Sequence, residues 1–160
     1  MSDVVVAMRT DAAWRALAEV LDPEVPVLSV LDLGIVRGVS EADDGTLEVT
    51  LTPTYSGCPA TEAIEAAVLA ALQPLGPVRI NTRWAPAWTT DWISEEGKRK
   101  LREYGIAPPG HLVGEQTVHV VRRIPCPRCN SARTERLSAF GATACKALYR
   151  CLDCREPFEH

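Results

Sequence analysis

The sequence carries two C-x-x-C pairs near its end, Cys126 with Cys129 and Cys151 with Cys154, and 21 residues separate the pairs. Each pair can place two thiolates on one cation, and the spacing is close to that of zinc-ribbon sites. Four thiolates satisfy tetrahedral Zn²⁺ and leave no open coordination position, which makes such a site structural. Soft four-sulfur sites also accept iron or an iron–sulfur cluster, and spacing alone does not separate these metals. The sequence therefore predicts a four-cysteine metal site, with zinc as the preferred ion.

The segment that holds these cysteines, residues 122–160, is too short to fold on a hydrophobic core alone. Metal ligation would supply the missing folding free energy, so the segment is predicted to be a metal-dependent domain. Cys145 lies outside both pairs. Two interpretations stay open for it: a small buried apolar side chain, or a thiol that exchanges into the metal site or takes part in redox chemistry.

The sixth cysteine, Cys58, lies far from the others, directly before Pro59 and an alanine-rich helical pattern. Pro59 suits the first position of a helix, which places Cys58 at or near the N-cap. A thiol there meets unpaired backbone N–H groups and the positive end of the helix dipole, and both favour the thiolate. Such a thiolate could ligate iron or exchange sulfur, whereas the alternative is a cysteine that fills space under the helix. All three histidines are distant in sequence, so no Cys–His nucleophile is predicted.

Acidic and hydroxyl side chains precede Cys58 in predicted loops. They are Asp22, Glu24, Asp32 and Thr54. Carboxylates at these positions could approach Cys58, and one soft sulfur with hard oxygens suits a transient iron site. The competing interpretation is that these acids are solvated or cap local turns.

Three of the four tryptophans, Trp84, Trp88 and Trp92, fall within nine residues. Pro86 interrupts any helix through them, so they do not form a helical stripe. Two interpretations stay open, packing in the core and an exposed aromatic anchor for a partner protein.

The elements that position these residues follow the order α, β, β, α, β, α, β. Periodicity and breakers place helices at 10–21, 59–73 and 94–104 and strands at 35–39, 47–52, 78–84 and 117–121. Asp43-Asp44-Gly45 supplies a hairpin turn, so the first two strands are expected to pair antiparallel. This order predicts an α+β sandwich with helices on one sheet face over residues 1–121, followed by a four-cysteine zinc ribbon over residues 122–160.

Charge divides at the same boundary, because residues 1–121 hold 9 basic and 17 acidic side chains (net −8) and residues 122–160 hold 8 and 4 (net +4). With 46% hydrophobic and 24% charged residues, the chain is neither disordered nor membrane-spanning by composition. The N-terminal residues include acids and no long apolar run, so no signal peptide is predicted and a cytoplasmic location is expected. Dinucleotide, P-loop and di-iron Glu-x-x-His motifs are absent from the sequence.

Three motifs of the first hundred residues resemble the MIP18 (DUF59) family. They are residues 22–26 (DPEVP), 32–36 (DLGIV) and 52–59 (TPTYSGCP). The resemblance implies a small α+β domain associated with the maturation of iron–sulfur proteins. It also maps the family's reactive cysteine onto Cys58 and its acidic motif onto Asp22 and Glu24.

The rest of the chain resembles a narrower group, the D subunits of bacterial phenylacetyl-CoA ring 1,2-epoxidase systems. The matching segments are residues 84–94 (WAPAWTTDWIS), 104–109 (YGIAPP) and 140–151 (FGATACKALYRC). This resemblance implies a role in phenylacetate catabolism, a form of aromatic compound degradation, with the di-iron oxygenase and the iron–sulfur and flavin reductase as partner subunits. The leading hypothesis is an accessory protein that helps to assemble or deliver iron or an iron–sulfur cluster and is not catalytic alone.

Three other function classes stay open. The chain could be a non-catalytic docking or scaffold subunit of the same oxygenase complex, in which Cys58 only packs, or a standalone redox enzyme that uses exposed thiols. The basic tail could contact nucleic acid, but the net charge of −8 on the remainder would repel a polyanion. No membrane partner is expected, and homo-oligomerisation stays open.

Overall fold

The computed structural model describes residues 3–110 and 123–160. The chain divides into two compact units, Met1–Gly97 and Lys98–His160. The predicted strand at 117–121 and the predicted domain boundary between residues 121 and 122 lie outside the described residues, so both stay predictions.

The first unit contains two helices and three strands. In chain order they are α1 (Asp3–Ala18), β1 (Val36–Glu41), β2 (Leu47–Leu51), α2 (Thr61–Leu72) and β3 (Val78–Thr82), with single 3-10 turns at Gln73–Leu75 and Thr90–Trp92. A third helix, α3 (Glu95–Tyr104), begins at the end of this unit, and the second unit adds the strands β4 (Thr134–Ser138), β5 (Leu148–Cys151) and β6 (Pro157–Glu159).

The sheet of the first unit has the strand order β1-β2-β3. The strands β1 and β2 pair antiparallel, as predicted, across a turn in which the N–H of Ala42 donates to the carbonyl of Thr46 at 2.9 Å. The strands β2 and β3 pair parallel. Parallel neighbours need a crossover connection, and α2 supplies it.

The core of this unit lies between the sheet and the two helices. The side chains of β2 alternate, with Leu47, Val49 and Leu51 buried and the residues between them partly exposed. The helices α1 and α2 contact each other, and each also contacts the sheet, so both lie on the same face. The predicted α+β arrangement with helices on one sheet face is therefore confirmed.

The first helix begins seven residues before its predicted start at Thr10 and ends at Ala18. A run of valines lowers the helix propensity of the segment, but tertiary contacts override this preference. Arg9 forms an ion pair with Glu41 at 2.8 Å and donates to the carbonyls of Gly45 and Leu75 at 3.2 and 3.0 Å. These contacts attach the helix to the β1–β2 hairpin and to the 3-10 turn that follows α2.

The apolar residues of α1 follow a helical pattern that places Ala13, Trp14 and Leu17 on one face, but the structure does not bury all three. Ala13 and Leu17 are fully buried, whereas Trp14 is 36% exposed. None of the helices in the described part of the chain is long and apolar enough to cross a membrane.

A loop between α1 and β1 is held in place by the buried carboxylate of Asp32. One oxygen of Asp32 accepts hydrogen bonds from the backbone N–H and the hydroxyl of Ser29 at 3.0 and 3.1 Å. The other accepts from the hydroxyl of Ser94 at 3.2 Å. These bonds connect the loop to the segment that precedes α3.

Gly34 ends this loop in a conformation that only glycine adopts readily. Its φ is +68°, and a Cβ atom placed there would lie 2.4 Å from the carbonyl oxygen of Trp92. The residue must therefore be glycine for both backbone and steric reasons. The next residue, Ile35, accepts a hydrogen bond from the N–H of Thr52 at 2.8 Å, which fixes the loop against the end of β2.

We expect Gly34→Ala to destabilise the first unit by at least about 1–3 kcal/mol, because the left-handed backbone and the contact with Trp92 both resist a Cβ atom. Gly38→Ala is the matched control, since a Cβ atom there meets nothing within 4 Å. Its expected effect stays within about 0.5 kcal/mol. Urea unfolding followed by circular dichroism measures both, and equal midpoints for the two variants would contradict this account of the loop.

Candidate functional site

A small cavity in the first unit brings together three of the residues predicted from sequence. It has a volume of about 20 Å³. Its lining consists of Asp22, Ile35, Leu51, Pro53, Thr54, Cys58, Thr61, Ile64 and Glu65. The cavity therefore combines a thiol, two carboxylates and two hydroxyls with an apolar wall.

Cys58 enters this cavity from the loop between β2 and α2, and it is partly exposed. It lies two residues before Ala60, the N-cap of α2, and Pro59 also precedes the helix. The prediction that Pro59 occupies the first helical position is therefore wrong. A turn holds Cys58 instead, because its N–H donates to the carbonyl of Tyr55 at 3.3 Å and its carbonyl accepts from the N–H of Thr61 at 3.2 Å.

The predicted acids separate into one that lines the cavity and two that do not. Asp22 is only 8% exposed, and its Oδ1 accepts the backbone N–H groups of Glu24 and Val25 at 2.8 and 2.7 Å. Glu24 contributes its backbone to this turn but does not line the cavity. Asp32 also lies outside the lining, and its hydrogen bonds organise the loop described above.

Two polar residues of the cavity lie outside the motifs that the sequence offers as site candidates. Thr61 lies in the first turn of α2, and Glu65 follows one turn later. The Oε1 of Glu65 accepts a hydrogen bond from the hydroxyl of Thr82 on β3 at 2.8 Å. Thr61 and Glu65 are four residues apart within the helix that the alanine-rich pattern predicts, so both lie on one helical face, and this spacing could have linked them to each other.

The second site is formed by the four cysteines of the C-x-x-C pairs. Their sulfur atoms all lie within 4.8 Å of one another. The Sγ atoms of Cys126 and Cys154 are 3.7 Å apart, and those of Cys129 and Cys151 are 3.6 Å apart. Tetrahedral bonds of about 2.3 Å to a zinc ion place sulfurs roughly 3.8 Å apart. The donor set therefore fits one four-coordinate metal ion.

The two pairs adopt the same backbone conformation. In the first, the N–H of Cys126 donates to the carbonyl of Ser131 at 2.9 Å, and in the second the N–H of Cys151 donates to the carbonyl of Glu156 at 3.0 Å. Each bond spans five residues. The residues that follow the second cysteine of each pair, Asn130 and Arg155, both have a positive φ, of 58° and 62°. The metal site is thus built from two equivalent turns.

Proximity of the four sulfurs changes the acidity of the thiols when no cation is bound. Burial opposes ionisation of Cys151, but the backbone N–H groups of Cys154 and Asp153 lower its pKa to about 7. The backbone N–H of Glu156 favours the thiolate of Cys154, but burial and the neighbouring thiols raise the pKa of Cys154 to about 12. Four thiolates at this distance therefore require a cation, and metal uptake releases protons.

The sheet around this site has a very small hydrophobic core. The strands β4, β5 and β6 pair antiparallel in that order, and the core cluster consists of Ala107, Ile124, Cys126, Cys151 and Phe158. Two of these five residues are ligand cysteines. A core of this size does not stabilise a fold by itself, which agrees with the predicted dependence on metal.

The remaining thiol, Cys145, is exposed, and its sulfur lies 3.0 Å from the hydroxyl of Thr143. The interpretation of Cys145 as a buried apolar side chain is therefore wrong. It also does not belong to the four-sulfur cluster.

The three tryptophans divide between the two interpretations. The indole N–H of Trp88 donates to the carbonyl of Leu33 at 2.7 Å, and the guanidinium of Arg37 lies 3.7 Å above the ring of Trp92. The ring of Trp88 thus attaches to the loop that ends at Gly34, and the ring of Trp92 lies against Arg37 of β1. Trp84 is 52% exposed.

Comparison with known proteins gives matches to both parts of the chain. Residues 10–81 match the family model described as iron–sulfur cluster assembly protein, and residues 113–160 match the model described as PaaD zinc beta ribbon domain. The crystal structure of a DUF59 domain from Bacillus anthracis superimposes with a TM-score of 0.58 at 25% identity, covering 62% of this chain and 97% of that domain.

Two curated relatives extend the comparison. The chain is 48% identical over 150 residues to the Escherichia coli K12 protein named as the D subunit of 1,2-phenylacetyl-CoA epoxidase, covering 92% of this chain and 88% of that protein. It is 34% identical over 85 residues to the Fe-S protein maturation auxiliary factor SufT of Staphylococcus aureus USA300, covering 51% of this chain and 96% of that factor. The chain therefore belongs to the MIP18 (DUF59) family of iron–sulfur cluster assembly proteins, in the group that shares a PaaD-type zinc β-ribbon with the epoxidase D subunit.

The ribbon should lose its folded state when metal is removed, because metal ligation supplies the free energy that its small core lacks. Purified protein is expected to contain about one zinc ion per chain, and Cys151→Ser should lower this content and expose β5 to hydrogen exchange. Cys145→Ser is the matched control, since that thiol lies outside the cluster. Elemental analysis and hydrogen exchange measure both variants. Stoichiometric iron, or an unchanged metal content in Cys151→Ser, would contradict the zinc assignment.

Proposed function

We propose that the chain is an accessory subunit of a phenylacetyl-CoA epoxidase system in phenylacetate catabolism, and that it assists the assembly or delivery of iron or an iron–sulfur cluster. The identity of 48% to the epoxidase D subunit and the match to an iron–sulfur cluster assembly family support this proposal. The proposed partners are the other epoxidase subunits. The proposed location is the cytoplasm, where thiols remain reduced and can bind metal.

The cavity around Cys58 is the observation that carries the proposal. It holds one partly exposed thiol with the carboxylate of the buried Asp22 and the hydroxyl of Thr54. A single thiolate with oxygen donors nearby leaves some coordination positions of an iron ion unfilled, whereas a closed four-sulfur site fills all of them. Iron that is held in this way dissociates readily. Reversible binding is the property that a delivery factor needs. We assign Cys58 as the transient ligand on this basis.

The size of the cavity argues against catalysis on an organic substrate by this chain alone. Its volume of about 20 Å³ has room for roughly one water molecule. Sites that enclose small organic ligands have volumes of about 300–1,000 Å³. A larger open groove of about 540 Å³ lies between α2 and β3, but its lining consists of apolar residues and Gln73. The proposed role is therefore accessory rather than catalytic.

The ribbon has a different proposed role, as a structural zinc domain. Its four sulfurs leave no ligand position for a substrate, so Cys126, Cys129, Cys151 and Cys154 are assigned as permanent metal ligands. Zinc is proposed over iron because the matching family model is that of a zinc ribbon.

A scaffold subunit is the second candidate function, and exposed apolar side chains favour it. Trp84 is 52% exposed in the first unit, and Leu137 and Phe140 are 49% and 65% exposed in the second. Exposed aromatic side chains are common anchors at protein interfaces. Under this alternative, Cys58 would be dispensable.

Replacement of Cys58 by serine distinguishes the two candidates. We expect Cys58→Ser to fold normally but to lower epoxidation of phenylacetyl-CoA in cells to the level of a strain without this chain, because the transient ligand is lost. Cys145→Ser, which removes a thiol outside both sites, should retain activity. Product formation measures both variants. Full activity of Cys58→Ser, with undiminished copurification of the other subunits, would refute the delivery role and support the scaffold.

A further inference from the structure

The two sheets of the described structure have four edge strands, and three of them are protected against pairing with another chain. The strands β1 and β4 each contain a bulge. On the outer side of β6, Ile106 forms a parallel bridge with Glu159, and the N–H of Ala107 donates to the carbonyl of Glu159 at 2.8 Å. Bulges and covering segments keep sheet edges from pairing with other chains. The fourth edge, β3, has no bulge and no neighbour on its outer side within the described residues.

The outer side of β3 presents unpaired backbone groups. At one end of the strand the carbonyl of Pro77 accepts from β2, and at the other end the N–H of Arg83 donates to β2, both at 2.8 Å. Because alternate residues of a strand bond to opposite sides, Val78, Ile80 and Thr82 direct their N–H and C=O groups outward. Within residues 3–110 and 123–160, none of these six groups has a hydrogen-bond partner.

The open groove of about 540 Å³ lies beside this edge, between α2 and the beginning of β3. The helix lines it with Ala66, Leu69, Ala70 and Gln73, whose spacing of i, i+3, i+4 and i+7 forms one helical face. None of the lining residues is charged, and Leu69 is 42% exposed. A strand added to β3 would direct every second side chain toward α2. The groove therefore suits apolar side chains at alternate positions of an added strand.

The size of this surface indicates the kind of partner that it fits. Seven residues line the groove, and the rest of the outer edge adds Ile80, Thr82 and Arg83. A stable dimer of globular chains uses roughly 20–30 residues on each side. The ten residues of the groove and the edge fall well short of this number. They match a short extended segment, which gains affinity from main-chain hydrogen bonds and specificity from alternate side chains.

Charge at the end of the edge specifies the segment further. Arg83 directly follows β3, is exposed, and forms no ion pair in the described part of the chain. In contrast, Arg79 within the strand forms an ion pair with Glu48 at 2.8 Å. An uncompensated positive charge at a docking surface favours an acidic side chain in the partner. The surface is therefore apolar at the groove and positive at the end of the strand.

We infer that β3 is a docking edge to which another subunit of the epoxidase system adds an extended segment, with apolar side chains toward α2 and an acidic side chain near Arg83. This inference rests on the proposed function for the identity of the partner, and it names the surface and the form of the segment that binds there. The hydroxyl of Thr82 donates to Glu65, which lines the Cys58 cavity. A segment docked along β3 therefore ends beside that cavity.

Amide hydrogen exchange of the full chain, resolved by residue, tests whether the edge is open and what covers it. In the free protein, the N–H groups of Ile80 and Thr82 should exchange at least about tenfold faster than those of Arg79 and Asn81, because only the latter bond to β2. The purified oxygenase and reductase subunits are the probe, and they should slow the outward amides. Slow outward amides in the free monomer would mean that the chain itself covers the edge. Protection that rises with the concentration of the chain alone would identify a second copy, and either result would overturn the inference.

Substitutions in the groove and on the edge test the same contact through the affinity for the purified subunits. Ala70→Glu should weaken binding roughly 10- to 100-fold, because it places a charge in the apolar groove. Ala63→Glu is the matched control, since Ala63 is exposed on the same helix but does not line the groove. Ile80→Pro removes an outward N–H and no bond to β2, and it should also weaken binding. Arg83→Gln should weaken binding about two- to fivefold. Wild-type affinity in both Ala70→Glu and Ile80→Pro, or no binding of the subunits to the wild-type chain, would overturn the inference.

These outcomes are separable from those for the proposed function. If Cys58→Ser abolishes epoxidation in cells while the purified subunits leave the outward amides of β3 unprotected, the docking edge fails and the delivery function stands. If Ala70→Glu prevents binding of the subunits while Cys58→Ser supports full epoxidation, the docking edge stands and the delivery function fails.

Discussion

The buried carboxylate of Asp32 determines the conformation of the loop on which the cavity depends. It joins Ser29 within the loop to Ser94, and so fixes the path of the chain from Asp22 to Ile35. Both ends of that path line the cavity. Gly34 provides the left-handed turn that the path requires, and Trp92 packs directly against it. Asp32, which does not line the cavity, therefore helps to position Asp22, which does.

Two kinds of sulfur site with opposite properties occur in the same chain. In the ribbon, four sulfur atoms surround one position. A metal ion bound there has no open coordination position at which another ligand could replace a cysteine, which suits permanent binding. The cavity of the first unit offers one partly exposed thiol and the carboxylates of Asp22 and Glu65, which do not form a closed set of ligands. This difference in the ligand sets agrees with the proposal that the ribbon holds a structural metal and that Cys58 binds a metal only transiently. The net charge of −8 over residues 1–121 also favours the approach of a cation to the open site.

Local signals in the sequence predicted the features that depend on spacing. The C-x-x-C pairs indicated the ribbon site, Asp43-Asp44-Gly45 indicated the β1–β2 hairpin, and breakers such as Gly105 marked the end of α3 to within one residue. The family motifs indicated Cys58 and Asp22, which the structure brings to one cavity. Each of these depends on residues close together in the chain or on a motif of fixed spacing.

Features that depend on contacts distant in sequence were not predictable in this way. The early start of α1 depends on contacts of Arg9 with Glu41 and Leu75, and Glu65 enters the site through its hydrogen bond with Thr82 on another strand. Asp32 is an aspartate like Asp22, but its buried carboxylate accepts hydrogen bonds from Ser29 and Ser94 and stabilises the loop. Only the folded arrangement separates these two acids.

We propose that this chain delivers iron through Cys58. The most direct measurement is the recovery of epoxidase activity when the purified chain, loaded anaerobically with iron, is added to metal-depleted oxygenase and reductase subunits. We expect the loaded chain to restore activity faster than the same concentration of free Fe²⁺, and loaded Cys58→Ser to give no advantage over free iron. Equal recovery with free iron, with the native chain and with Cys58→Ser would contradict it.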